Sequence, residues 1–136
     1  MSNPVVRTKV GELRGVVENG VTVFRAVPYA APPVGELRFA SPQPVPAWRG
    51  VRDATREGPI APQGRSRLAQ IMGDFQSPQS EDCLTLNIWT PGADSAKRPV
   101  LIWIHGGAYS SGAGSLAWYA GDQFAANGDV VAVSIN

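Results

Sequence analysis

The sequence contains only one cysteine and one histidine, and both scarcities restrict its chemistry. Cys83 has no partner for an intrachain disulfide, and a lone thiol suits a reducing compartment. His105 alone provides no cluster of metal ligands. We therefore expect no metal and no cofactor.

The sequence also lacks an excess of charge of either sign and any long apolar run. The 12 Lys and Arg residues balance 11 Asp and Glu residues, which leaves a formal net charge of +1 and no basic excess for nucleic acid. No stretch approaches the roughly 20 apolar residues of a membrane span, and the first residues lack a signal-peptide segment. We expect a soluble, cytoplasmic protein with neither a nucleic-acid nor a membrane partner.

Glycine and proline are abundant, at 15 and 12 of 136 residues, which favours a loop-rich α/β or β protein. Residues 15–18 and 21–24 flank Asn19-Gly20, a strong hairpin signal because a type I′ turn needs positive φ at both central residues. Prolines within 27–35 predict an extended loop and exclude a helix or a central strand. Residues 41–80 are expected to be irregular.

Three segments of the second half predict strands: residues 84–89, 100–104 and 130–135. The continuous apolar run at 100–104 is typical of a strand buried on both faces. A short helical stretch is also expected earlier, near Arg67–Met72.

Residues 116–127 predict a helix, with Ser115 as N-cap and Gly128 just past its end. Residues 100–135 would then form one βαβ unit with parallel strands. The loop at 105–114 follows the carboxyl end of a parallel strand, where open α/β sheets bind ligands.

The loop begins with His105, Gly106, Gly107 and Ala108. Small residues let the backbone turn tightly, and successive free N–H groups can converge on one negative oxygen, which is how an oxyanion hole works. The alternative is a plain Gly-Gly turn whose glycines only relieve crowding. No Gly-x-Ser-x-Gly nucleophile elbow is present, and we expect Ser110 to line the site or to satisfy backbone groups.

Several segments, in order along the chain, resemble the type-B carboxylesterase family, which includes the cholinesterases. Residues 81–89 read Glu-Asp-Cys-Leu-Thr-Leu-Asn-Ile-Trp and resemble its second signature. Residues 24–39 resemble its amino-terminal loop, with Phe-Arg-Ala-Val-Pro-Tyr at the start and Leu-Arg-Phe at the end. Residues 104–109, Ile-His-Gly-Gly-Ala-Tyr, resemble its oxyanion loop, and 131–136 its next strand.

The resemblance implies an α/β-hydrolase fold with a catalytic serine, an acidic residue and a histidine. Gly106, Gly107 and Ala108 match the oxyanion tripeptide, with Gly107 and Ala108 as the main donors. Many members have a third glycine at Ala108, where alanine preserves the hole if φ is negative. His105 does not match the catalytic base, and we expect it to bond locally and shape the loop.

The resemblance also implies roles for residues outside the tripeptide. Arg38 and Glu81 would form an internal ion pair with an architectural role, since a buried carboxylate needs a partner. Tyr109 and Trp118 are candidates for lining the substrate pocket. Cys83 would be a buried free thiol. The aromatic residues expected in the core are Phe24, Trp89 and Trp103.

These inferences combine into an α/β protein whose residues 1–136 form the amino-terminal segment of one larger α/β-hydrolase domain. Residues 1–80 would be a small antiparallel hairpin and loop-rich region, and 81–136 would carry the sheet strands and oxyanion loop. The last apolar strand needs neighbours, so the expected partner is the carboxyl-terminal remainder, in the same or a separate chain.

The expected activity is serine-esterase hydrolysis of small-molecule esters, and of carbamates or amides as further substrates, through an acyl-enzyme. The segment alone should be inactive, because nucleophile, acid and base would come from the remainder. Two alternatives stay open. The first is a non-catalytic, cholinesterase-like binding or adhesion protein, and the second is a short stand-alone protein.

Overall fold

A computed structural model describes residues 3–66 and 77–136, which contain eight strands and one α-helix. The helical stretch predicted near residues 67–72 lies outside the described residues. The strands are β1 (Val5–Arg7), β2 (Glu12–Arg14), β3 (Val16–Glu18), β4 (Val21–Pro28), β5 (Val51–Asp53), β6 (Thr85–Thr90), β7 (Val100–Ile104) and β8 (Val131–Ile135). The helix is α1 (Asp122–Gly128), and two 3₁₀ turns span Gly35–Leu37 and Ala117–Tyr119.

The strands form two sheets. A five-stranded sheet has the order β3-β4-β6-β8-β7, in which β7 and β8 are parallel and the other neighbours are antiparallel. A small sheet has the order β1-β2-β5. The predicted parallel pair is confirmed. The three short strands of the small sheet were not predicted, because each has only three residues and β5 pairs with a strand far away in sequence.

The hairpin predicted at Asn19-Gly20 is confirmed. Both residues have positive φ, 50° and 81°, as a type I′ turn requires. Glu18 pairs with Val21 across the two-residue loop. The hairpin does not form a separate region, since β4 also pairs with β6 and so joins the main sheet.

Strand β4 continues to Pro28, so the prediction that residues 27–35 form an extended loop is wrong for Val27 and Pro28. Val27 and Pro28 pair with β6 beyond a β-bulge. Strand β3 extends only to the pair Val16–Val23, so this half of β4 has one sheet neighbour and tolerates proline as an edge strand does. At the bulge, Ala26 has φ of 52° and its N–H donates to Asn87 Oδ1 at 3.0 Å.

The predicted helix at 116–127 is split by an extended residue, Ala120, into a 3₁₀ turn and α1. The N-cap is Gly121 and not Ser115, and Gly128 lies within the helix, which ends on a left-handed Asp129. The break follows from close packing. A methyl group on Gly121 would lie 3.0 Å from the Trp89 ring and would overlap the Ala132 side chain.

Among the described residues, two apolar clusters form the core. The larger one joins β4, β6, β8 and α1 through Val21, Val23, Trp89, Ala125 and Ala132, and the partly buried Val16 of β3 packs against it. The second links the small sheet to β4 through Leu13, Phe24 and Ala54. Phe24 and Trp89 are therefore core residues, as predicted.

Strand β7 is exposed along its whole length, whereas a strand buried on both faces was predicted. Trp103 is 49% exposed and so is not a core residue in this chain. Strand β7 is exposed because it is the edge strand of the sheet and because α1 packs against β4, β6 and β8. Among the described residues no helix has the length and apolar character needed to span a bilayer.

Candidate active site

The loop at residues 105–114 leaves the carboxyl end of β7 with unpaired backbone donors. Within residues 3–66 and 77–136, the N–H groups of Gly106, Gly107 and Ala108 have no hydrogen-bond acceptor. Backbone donors exposed in this way are available to a ligand, and two neighbouring ones can share one oxygen.

The loop folds tightly around the Gly107 carbonyl. The backbone N–H groups of Ser110 and Ser111 donate to this oxygen at 3.0 and 3.2 Å, and Ser110 Oγ donates to it at 3.0 Å. Gly107 has φ of 127°, and a methyl group there would overlap the Ser111 carbonyl oxygen and lie 2.6 Å from its carbon. Only glycine fits this approach. Ser110 thus satisfies the Gly107 carbonyl, which is one of the two roles predicted for it.

Ala108 has φ of 52°, so the condition of a negative φ, under which alanine was expected to preserve the hole, is not met. Tyr109 is left-handed as well, with φ of 59°. The two consecutive left-handed residues reverse the chain and bring the Ser110 and Ser111 amides back to the Gly107 carbonyl, at a cost of about 1–2 kcal/mol each. The Ala108 N–H has no acceptor in the described part of the chain in this left-handed conformation.

Gly107 and Ala108 border an open cleft of about 790 Å³, together with Ser110, Ser111 and residues 64–66. These two residues thus lie beside a space large enough for a small molecule. Tyr109 borders a smaller adjoining hollow of about 160 Å³, and its side chain is fully exposed.

Trp118 lies elsewhere, in an apolar hollow of about 400 Å³ over β7 and β8. This hollow is bordered by Trp103, Tyr119 and Phe124 and by none of the three residues of the tripeptide. The structure thus does not bring together the two aromatic residues proposed to line one pocket. Trp103 and Tyr119 stack here with ring centroids 5.3 Å apart.

Arg38 and Glu81 form the predicted ion pair, with Nε and Oε1 2.5 Å apart. The pair is not buried, since the side chains are 56% and 41% exposed. Solvent screens such a pair, which limits its contribution to stability. It links the segment after the first 3₁₀ turn to the segment before β6, which matches an architectural role.

His105 and Cys83 have the local environments that were predicted. His105 Nδ1 lies 2.7 Å from the Gly106 carbonyl oxygen, so Nδ1 carries a proton and donates it within the loop. Cys83 is free and buried, and burial raises the pKa of its thiol. No group of three or more His, Cys, Asp or Glu residues in the described ranges could hold a metal ion.

Two side-chain amides that the sequence did not indicate hold the distal part of the loop. Asn136 Oδ1 accepts the Gly114 N–H at 2.9 Å, and Asn136 Nδ2 donates to the Cys83 carbonyl at 3.2 Å. Gln63 makes two hydrogen bonds to Gly112, 49 positions away. Such contacts have no local sequence signal, because the partners meet only after folding.

A mixed sheet with a glycine loop at the carboxyl end of a parallel strand is the arrangement of an α/β hydrolase. A crystal structure of the Geobacillus stearothermophilus carboxylesterase EST55 matches with a TM-score of 0.87 and 52% identity, over 97% of this chain and 26% of that protein. A PNB esterase structure matches with a TM-score of 0.90 and 44% identity, over 99% and 28%. The fold is therefore that of the α/β-hydrolase carboxylesterases.

The model described as "Carboxylesterase family" matches residues 2–136, and the chain belongs to this family. Phenmedipham hydrolase of Pseudarthrobacter oxydans is 51% identical, and para-nitrobenzyl esterase of Bacillus subtilis is 43% identical. Both alignments cover all of this chain and 28% of the relative. The chain thus spans little more than a quarter of the length of these curated relatives.

Proposed function

We propose that this chain supplies the oxyanion hole of a serine esterase that hydrolyses carboxylic esters. One observation carries the proposal: Gly107 and Ala108 line an open cleft, and their N–H groups have no acceptor in the described part of the chain. Membership of the carboxylesterase family supports the reaction class.

The reaction needs charge stabilisation when the ester carbonyl becomes tetrahedral. A serine hydroxyl attacks the carbonyl carbon while a histidine takes its proton, and the carbonyl oxygen becomes negative. The amides of Gly107 and Ala108 would donate to that oxygen. Each such donor contributes about 2.7–4 kcal/mol to lowering the barrier. Collapse of the intermediate releases the alcohol, and water then hydrolyses the acyl-serine.

The serine, acid and base of this mechanism would come from polypeptide outside residues 1–136. The sequence has no Gly-x-Ser-x-Gly elbow, and its one histidine, His105, donates within its own loop. The proposed partner is therefore the carboxyl-terminal remainder of the hydrolase. Proposed substrates are small carboxylic esters, with carbamates and amides as further substrates because they react through the same tetrahedral intermediate.

The test compares this chain with the same chain joined to its carboxyl-terminal polypeptide, using 4-nitrophenyl acetate. The joined protein should turn over the ester and be inactivated by a serine-directed phosphonate, and this chain alone should do neither. Turnover by the chain alone would contradict the proposal that the nucleophile lies outside residues 1–136 and would implicate Ser110 as the nucleophile. A folded joined protein with no turnover would favour the non-catalytic binding protein.

A further inference from the structure

Gln63 contacts both polar groups of one residue in the candidate oxyanion loop. Its Oε1 accepts the Gly112 N–H at 2.7 Å, and its Nε2 donates to the Gly112 carbonyl at 2.9 Å. The carboxamide thus pairs with the backbone of Gly112 as a neighbouring strand would. Both hydrogen bonds are needed to define the orientation of this backbone, because a single one leaves rotation about its axis free.

Gln63 is itself held in place. Its backbone N–H donates to Gln79 Oε1 at 2.9 Å, and its second Nε2 hydrogen donates to the Ala61 carbonyl at 3.0 Å. Both Nε2 hydrogens are therefore used. A side chain fixed at both ends can hold a loop, whereas an exposed glutamine that contacts only its own neighbours cannot. The Gln43 side chain is of this second kind, since among the described residues its Nε2 donates to the Ser41 carbonyl and to no other acceptor.

The Gly112 backbone lies directly against the tripeptide. A methyl group on Gly112 would overlap the Gly106 carbonyl oxygen and lie 2.7 Å from His105 Nδ1. From the other side, Gly107 is in close contact with the Ser111 carbonyl. A shift of the Ser111–Gly112 peptide is therefore transmitted to Gly106 and Gly107.

We propose that Gln63 is a positioning residue for the oxyanion hole. By holding Gly112, it sets the directions in which the Gly107 and Ala108 amides point. The claim that Gln63 affects catalysis rests on the proposed function, whereas the claim that it holds the Gly112 backbone does not. Gln63 would act through Gly112 and not by touching the substrate.

The first experiment measures amide hydrogen exchange over residues 105–114 and needs no activity. In Gln63→Ala, the Gly112 amide should exchange at least tenfold faster than in the wild type, because it loses its acceptor. Gln43→Ala is the matched control and should leave exchange in this loop unchanged. Unchanged exchange in Gln63→Ala would overturn the inference, whether or not the protein hydrolyses esters.

The second experiment uses Gln63→Glu in the joined protein with 4-nitrophenyl acetate. A glutamate carboxylate still accepts the Gly112 N–H but repels the Gly112 carbonyl, whereas the protonated acid can again donate to it. At about pH 8, kcat should fall at least tenfold with little change in KM, since a misplacement near 1 Å can cost about 10²-fold. As the pH falls below the ordinary glutamate pKa of about 4.3, kcat relative to the wild type should recover.

A kcat ratio to wild type that stays flat across this pH range would contradict positioning by Gln63, because a general folding defect does not reverse on protonation of one residue. Gln43→Glu should match the wild type throughout. A wild-type protein without turnover at any pH would instead refute the proposed function, and the exchange experiment would then decide the role of Gln63.

Discussion

Replacing Gly107 with alanine should disable the oxyanion hole without unfolding the protein. The new methyl group would lie 2.6 Å from the Ser111 carbonyl carbon, whereas an ordinary contact begins near 3.4 Å, and it would overlap the carbonyl oxygen more severely. The backbone must therefore move by more than an ångström to clear the oxygen. An oxyanion donor works only about 2.7–3.1 Å from its oxygen, so a shift of this size removes at least one donor.

The expected consequence is a loss of about 10²–10³ in kcat, or about 2.7–4 kcal/mol, with KM within threefold of the wild type. The assay is steady-state hydrolysis of 4-nitrophenyl acetate by the joined protein, with thermal unfolding measured in parallel. Gly50→Ala is the matched control. Gly50 also has positive φ, 75°, but an added methyl group meets no atom of the described chain within 4 Å. A Gly107→Ala variant that keeps kcat within threefold would refute the reasoning.

Two further predictions concern stability and thiol chemistry. The Arg25 guanidinium holds the pKa of Glu18 below its ordinary value of 4.5, so this stabilisation is present above that value and is lost as the pH falls through the lowered pKa. Glu18→Gln should lower the free energy of unfolding in urea by roughly 0.2–1 kcal/mol at pH 7 and by progressively less as the pH falls through the lowered pKa of Glu18, and a pH-independent difference, or an equal loss in the exposed control Glu36→Gln, would contradict this. Burial raises the pKa of the Cys83 thiol, so iodoacetamide should label the native protein at least tenfold more slowly than the urea-unfolded chain, and equal rates would show that the thiol is accessible.

Local signals accounted for the parts of the fold that depend on neighbours in sequence. Asn19-Gly20 predicted its hairpin because the turn conformation is a property of those two residues. The apolar run at β7 and the alternating pattern at β6 predicted strands for the same reason. The parallel pairing of β7 with β8 followed from the connection between them.

Features that depend on distant partners could not be predicted in this way. Pro28 is accommodated in β4 because β3 ends before it, and the length of β3 is not encoded near Pro28. The break at Gly121 depends on contacts with Trp89 and Ala132. Burial of β7 was inferred from its composition, but its exposure depends on which elements cover the sheet edge.

The candidate site shows the same division. The tripeptide was indicated by its small residues, which let the backbone turn tightly, and was assigned through the family resemblance. The left-handed conformation of Ala108 was missed because it arises from the return of the Ser110 and Ser111 amides to the Gly107 carbonyl. Gln63 gave no sequence signal because its partner lies 49 positions away.

The most direct test of the account removes the Ala108 N–H. Replacing Ala108 with L-lactate turns its amide into an ester and leaves the side chain in place, so the donor is lost and the Gly107 carbonyl accepts the Ser110 and Ser111 hydrogen bonds more weakly. The account predicts that kcat of the joined protein falls about 10²–10³-fold with KM nearly unchanged. The same replacement at Ala96, whose N–H donates to Asp94 at 2.9 Å in an exposed turn, should leave kcat unchanged. Full activity of the Ala108 ester would contradict the central claim that this amide stabilises the reacting oxygen.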